Sequence, residues 1–157
     1  MDNIKYAFYE NDFVNFVVGY KVEKLVSLSL VVSFQERDEK CEFSDFVANQ
    51  IIQYFNKERT SFSIPLLLNA TPFQAKVYEA LLQIPYGETR SYKDIAISIN
   101  HPKAYRAVGS ANNKNPIPII IPCHRVIASN NTLAGYAYGL DMKKKLLKLE
   151  KCDDFCF

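Results

Sequence analysis

Apolar and polar residues follow a strand-like pattern through the first part of the chain. Val14, Phe16 and Val18 alternate with Asn15, Val17 and Gly19, and Leu25, Val26, Leu28, Leu30, Val31 and Val32 form a second strand-rich run. The pattern predicts strands over residues 4–9, 13–20 and 25–34, with a turn at Glu10-Asn11-Asp12. The period then lengthens. Phe46, Val47, Ile51, Ile52, Tyr54 and Phe55 recur at helical spacing, which predicts a helix capped by Ser44 or Asp45 and running to Lys57. Residues 58–69, with Pro65, read as an extended connector. This portion is a small sheet with a helix packed on it and carries no catalytic pattern. Cys41, in a charged stretch, reads as an incidental surface thiol.

A helical pattern resumes at Thr71-Pro72, an N-cap followed by proline at the first helical position. Phe73, Val77, Tyr78, Leu81 and Leu82 give this helix an apolar face ending near Gln83. Residues 84–89 form a turn. Ser91 caps a short helix, with Asp94 placed for a capping box, and Ile95, Ala96 and Ile99 form its buried side. Asn100-His101-Pro102 breaks it, with His101 as a capping or surface residue. A second short helix, from Lys103 to Asn112, is rich in small residues: Ala104, Ala107, Gly109, Ser110 and Ala111. Two short helices about a tight turn fit a helix-turn-helix that binds DNA, and equally fit a helical hairpin inside a core.

The apolar run Ile117 to Ile121 leads through Pro122 to Cys123, His124 and Arg125, then returns to Val126 and Ile127. An apolar strand or extended segment here holds the thiol rigidly. A neighbouring imidazole lowers a thiol pKa directly or through a water, and the thiolate is the reactive form. Neighbours on a strand point to opposite sides, which favours the water-bridged route. The pair alone also fits an inert core cysteine.

Charge adds to this picture. Residues 1–89 carry 8 basic and 12 acidic side chains, whereas residues 90–151 carry 11 basic and 3 acidic. The basic portion is the one that holds Cys123. It fits a polyanionic partner such as nucleic acid, or a solvated lysine-rich face. With 157 residues, 48% hydrophobic and 23% charged, the chain suits one domain or two small ones and excludes disorder. No apolar run is long enough to span a membrane, and Met-Asp-Asn-Ile-Lys is no signal peptide. The cysteines (Cys41, Cys123, Cys152, Cys156) do not form a disulfide framework, which points to a reducing cytoplasm. Two histidines without a Cys-x-x-Cys argue against structural zinc.

Taken together, the motifs resemble one family, the O6-alkylguanine-DNA alkyltransferases. The resemblance runs over residues 71–150 through Thr71-Pro72-Phe73-Gln74, Ile84-Pro85-Tyr86-Gly87-Glu88-Thr89, Ser91-Tyr92, Arg106-Ala107-Val108-Gly109, Asn115-Pro116 and Pro122-Cys123-His124-Arg125-Val126. It continues through Gly135-Tyr136, Gly139-Leu140, Lys143, Leu146, Leu147 and Glu150. It implies an α+β fold: a ribonuclease-H-like sheet-and-helix domain over residues 1–68, then a mostly helical DNA-binding and alkyl-acceptor domain with a helix-turn-helix over residues 69–157. The implied activity is irreversible, single-turnover transfer of an alkyl group from O6-alkylguanine in double-stranded DNA to Cys123, after the damaged nucleotide is flipped. No cofactor or metal is implied, and the implied partner is the minor groove of DNA, bound by a cytoplasmic monomer.

The resemblance also implies residue roles. Cys123 is the acceptor, His124 its base through a water, and Glu150 the group that orients His124. Tyr92 hydrogen-bonds the guanine and aids its rotation. Asn115 is a hinge residue tying the helical pair to the active-site segment. Arg106 fills the space left by the flipped base. Ala104, Ala107 and Gly109 approach the groove, and Arg125 joins them as a DNA contact. Pro116, Tyr136, Ala137, Tyr138 and Gly139 wall the alkyl pocket.

Tyr138 stands where relatives carry Gly or Trp, so a narrowed pocket is expected. Ala137 lacks the polar side chain often found there. The tail Cys152-Asp153-Asp154-Phe155-Cys156-Phe157 has no family counterpart, and its cysteines are bystanders, alkyl scavengers or a disulfide pair. An alkyltransferase-like protein that binds lesions without accepting the group has another residue in place of the cysteine, which Cys123 argues against. A Cys-His hydrolase is separable by turnover on esters or peptides.

Overall fold

The computed structural model describes residues 3–151. Cys152 and Cys156 lie outside the described residues. The chain divides into two compact units, Met1–Asn69 and Ala70–Phe157.

In the first unit, β1 (Lys5–Tyr9), β2 (Asn15–Lys21) and β3 (Lys24–Val31) form an antiparallel sheet in sequence order. Phe16, Val18, Leu25 and Leu28 are buried, together with Val47, Ala48, Ile51 and Tyr54 of α1 (Glu42–Phe55). β2 is buried without a break from Phe16 to Tyr20, and the Phe16 ring meets Phe55 of α1 edge-on, 6.0 Å between ring centres. At Gly19 the β2–β3 register shifts, and a Cβ there would lie 2.1 Å from Ser27 Oγ. The connector is not wholly unpaired. The Leu25 amide donates to Pro65 O at 2.8 Å and the Leu67 amide donates to Leu25 O at 2.9 Å, a parallel bridge at Leu66.

The start of α1 differs from the sequence expectation. Its N-cap is Cys41, whose sulfur accepts from the Ser44 amide at 3.5 Å, while Ser44 Oγ accepts the Cys41 amide at 2.8 Å. Ser44 is the third helical residue of a capping box and not the cap itself. Cys41 is thus part of the helix terminus and not an incidental thiol. Burial works against its thiolate, but hydrogen bonds involving Tyr20, Ser44 and Phe43 outweigh burial and hold the thiol below its ordinary pKa.

The second unit contains α2 (Pro72–Leu82), β4 (Arg90–Ser91), α3 (Tyr92–Ser98), α4 (Tyr105–Asn113), β5 (Val126–Ile127) and α5 (Leu140–Leu149). Reciprocal capping boxes open α2 (Thr71 with Gln74) and α3 (Ser91 with Asp94). Between α3 and α4 the chain turns at Asn100, whose φ is 64°. The His101 amide donates to Ala96 O at 2.9 Å, and the Ala104 amide to His101 O at 2.9 Å. This turn consumes Lys103 and makes Ala104 the N-cap, so α4 begins later than the small-residue run suggests. Val77, Tyr78, Leu81, Ile95, Ala96, Val108, Ile117, Ile121, Leu146 and Leu147 form the core of this unit. Among the described residues, no helix is long and apolar enough to cross a membrane.

Candidate active site

The segment before Cys123 is coiled, not extended. The Ile121 amide donates to Ile117 O at 3.0 Å and the Cys123 amide to Ile121 O at 2.8 Å. Cys123–Arg125 then form one turn of 3₁₀-helix. Ile119 carries a φ of 73°, a left-handed conformation that costs a β-branched residue of the order of 1–3 kcal/mol. Side-chain amides hold the turn in place. Asn115 Nδ2 donates to Ile121 O at 2.7 Å, and its Oδ1 accepts the Ile117 amide at 3.0 Å. Asn112 Nδ2 donates to Cys123 O at 3.2 Å.

Past the turn, β5 pairs in parallel with β4, Arg90 with Val126 and Ser91 with Ile127. Ser91 is both a strand partner and the N-cap of α3, so this two-residue ladder fixes Tyr92 relative to the Cys123 segment. The ring of Tyr92 lies across Gly109 of α4; a Cβ on that glycine would stand 3.7 Å from Tyr92 Cε1. Burial, and then the charge of a Cys123 thiolate, push the pKa of Tyr92 and of Tyr78 upward. Both phenols therefore sense the sulfur.

Behind the thiol lies a buried ionic cluster. His124 Nε2 is 2.6 Å from Glu150 Oε2, and neither side chain is exposed. Arg125 donates from Nε to Glu150 Oε1 at 2.8 Å and from NH2 to Glu150 Oε2 at 3.1 Å. Its NH1 donates to Ile84 O at 2.7 Å, and its guanidinium carbon stands 5.7 Å from the Tyr86 ring centre. The carboxylate accepts from Nε2–H, which assigns the tautomer and leaves Nδ1 as a lone-pair acceptor. That nitrogen is buried without a protein partner.

Burial opposes the Glu150 carboxylate, but His124 and Arg125 overcome it and hold the group far below the ordinary carboxylate range. His124 is pushed below its ordinary pKa, chiefly by burial and against the pull of Glu150. Cys123, 3% exposed, is pushed up by burial, with Asn115, Tyr136 and Lys143 opposing. At rest the site pairs a protonated thiol with a neutral imidazole.

The segment after Cys123 is tied down by Lys143 of α5. Its buried ammonium donates to Val126 O at 2.7 Å, to Leu133 O and to Gly135 O at 3.0 Å. Burial lowers its pKa to about 8. The Tyr136 hydroxyl is buried, and burial, then the charge of a Cys123 thiolate, push its pKa well up. The Tyr138 ring stands 6.0 Å from the Tyr136 ring and is 36% exposed. Ala137 and Gly139 are exposed and Pro116 is half-buried. Gly139, with φ 90°, opens α5.

The model of the family described as "6-O-methylguanine DNA methyltransferase, DNA binding domain" matches residues 72–152. A Methanosarcina barkeri methylated-DNA--protein-cysteine methyltransferase is 57% identical over 113 residues, 72% of each chain. The constitutive Bacillus subtilis enzyme of the same name is 53% identical over 103 residues, 65% of this chain and 62% of that one. Among solved structures, Mycobacterium tuberculosis O6-methylguanine methyltransferase is 41% identical, with a TM-score of 0.85 over 95% of this chain and 93% of that chain. M. tuberculosis OGT in complex with DNA has the same identity and TM-score over 96% of each chain.

The chain belongs to the methylated-DNA--protein-cysteine methyltransferase family. It is an alkyl-transferring DNA repair enzyme of mixed α/β fold, and DNA is its partner.

Within this methyltransferase the sequence-derived candidates fall into distinct places. Cys123, His124 and Glu150 come together, with Asn115 buttressing the turn. Arg106 and Ala107 are exposed on α4, and Ala104 and Gly109 are partly covered. Arg125 does not fit the DNA contact expected of it. It is 6% exposed and its guanidinium is spent on Glu150 and Ile84. Asn112 and the ionic role of Lys143 were missed. Asn112 ends a run of small residues, and Lys143 shares a helical face with Leu146, Leu147 and Glu150, which is the one signal for its burial.

Proposed function

We propose that this methyltransferase takes the alkyl group from O6-alkylguanine in duplex DNA onto Cys123, irreversibly and once per molecule, after flipping the damaged nucleotide out of the stack. The observation that carries this reading is His124: one nitrogen is fixed to Glu150 and the other is buried, unpartnered and next in sequence to the thiol. Nδ1 takes the Cys123 proton through a water. The sulfur attacks the alkyl carbon as the carbon–O6 bond breaks, and the electron pair leaves on guanine. Tyr92 donates to the departing base and stabilises its developing charge. The product is a thioether, which no group in the site reverses.

The target atom lies inside the duplex, so flipping is required and costs a few kcal/mol. On this reading α3 and α4 act as a helix-turn-helix, and Ala104, Ala107 and Gly109 let α4 approach the minor groove. Arg106 fills the gap left by the base. Pro116, Tyr136, Ala137, Tyr138 and Gly139 wall the alkyl pocket. Residues 1–68 form a ribonuclease-H-like sheet-and-helix domain and residues 69–157 the DNA-binding and alkyl-acceptor domain; the three-stranded meander, α1 and the parallel bridge at Leu66 support the first part of this reading.

A stoichiometry titration tests the reading. Excess duplex carrying O6-methylguanine should lose one methyl group per protein molecule and no more. Continued turnover would overturn it.

A further inference from the structure

We infer that Arg125 is a positioning residue for the alkyl transfer: by gripping both oxygens of Glu150 it aims the carboxylate at His124 while balancing its charge, so that His124 is oriented without being protonated. This rests on the proposed roles of Cys123 and His124.

Geometry carries the argument. A carboxylate alone beside a buried imidazole orients it but also stabilises imidazolium, which is useless as a base. Here Glu150 faces a cation on its other side. Arg125 approaches through Nε and NH2 at 2.8 and 3.1 Å, the two-pronged geometry a guanidinium provides and an ammonium does not. The fork is itself fixed, because NH1 is anchored 2.7 Å from Ile84 O and the plane lies near the Tyr86 ring. The groups bearing on His124 are Cys123 and Arg125 in its own turn, Lys143 on α5, and Glu150 at the C-terminal end of α5. Lys143 and Arg125 oppose imidazolium and Glu150 favours it. Tyr78, Tyr92 and Tyr136 reach the cluster through Cys123. Removing Arg125 therefore takes away one of two opposing cations and leaves the carboxylate unbalanced.

The experiment is the single-turnover rate of methyl transfer from an O6-methylguanine duplex, followed from pH 5 to 9, for wild type, R125Q, R125K and E150Q. Folding of each is checked by thermal melting. R125Q should move the midpoint of the acid limb upward by about one pH unit. E150Q should move it downward. R125K keeps the charge without the fork, so its midpoint should stay near wild type and its plateau rate should fall. A folded R125Q with the wild-type midpoint overturns the inference. So does an R125K with the wild-type plateau. Loss of the fold in both variants would make Arg125 a structural brace alone and overturns it equally. Absence of methyl transfer by wild type is a different result, and it strikes the proposed function itself.

Discussion

His124 Nε2 and Glu150 Oε2 stand 2.6 Å apart with both side chains fully buried, one from the 3₁₀ turn and the other from the end of α5. The contact joins two segments distant in sequence and fixes one ring nitrogen of the histidine that follows Cys123. Glu150→Ala should therefore cost both stability and chemistry. It strands Arg125 as an uncompensated buried cation and leaves the imidazole free to turn. A loss of about 3–5 kcal/mol in denaturant unfolding is expected, with methyl transfer reduced more than lesion binding. A stability within 1 kcal/mol of wild type, on the order of an exposed pair, would contradict this.

The same pair dictates a response to acid. Glu150 titrates lower in the folded chain than in the unfolded one, so its stabilisation is present above its ordinary value of 4.5 and is lost as pH falls through the acid range. His124 is also depressed, from 6.5. The unfolded chain thus binds more protons below pH 6.5, and stability rises with pH there. Both groups act in one direction. Unfolding free energy measured at pH 7.5, 6 and 5 should decline, the last step being steepest. Equal stability at 7.5 and 5 would show that the cluster is not ionised as described.

Arg106 is exposed on α4. If it holds the gap left by a flipped base, Arg106→Ala should slow transfer from duplex DNA while leaving reaction with free O6-methylguanine base unchanged. Melting should be unaffected, as for most surface substitutions, within about 0.5 kcal/mol. Equal slowing of duplex and free base would place the residue in the chemistry instead.

Tyr138 stands beside Tyr136, just after the Gly135 carbonyl that Lys143 holds. Trimming it in Tyr138→Gly should raise the rate with O6-benzylguanine by ~10-fold or more, the scale on which pocket size discriminates, with the methyl rate little changed. No gain with the benzyl substrate would remove Tyr138 as the limit on pocket width.

Much of this was legible in the chain because it is local. Thr71, Pro72, Gln74, Ser91 and Asp94 signal two helix starts, and the structure uses each in a capping box. The three N-terminal strands follow from alternation within a few residues at each end. What escaped is non-local or chemically unusual. A cysteine caps α1, where preference rules favour Ser or Asp. The two-residue ladder between β4 and β5 is too short to leave a pattern, although it places Tyr92. The run Ile117–Ile121 looks like a strand by composition, but Asn115 bonds to both its ends and Ile119 takes a positive φ between them. Arg125, expected to contact DNA, and Lys143, given no role, are both buried. A basic residue gives no sign in sequence of a carboxylate 25 positions away or of a set of carbonyls 8 to 17 positions away.

If Cys123 itself receives the alkyl group, the transfer is written in the mass of the protein. The direct measurement is intact-protein mass after incubation with duplex DNA bearing one O6-methylguanine, wild type against Cys123→Ser, followed by peptide mapping. The expected result is a gain of one methyl on Cys123 and none in the variant. A protein that binds the lesion tightly and gains no mass, or gains it on another cysteine, would contradict it.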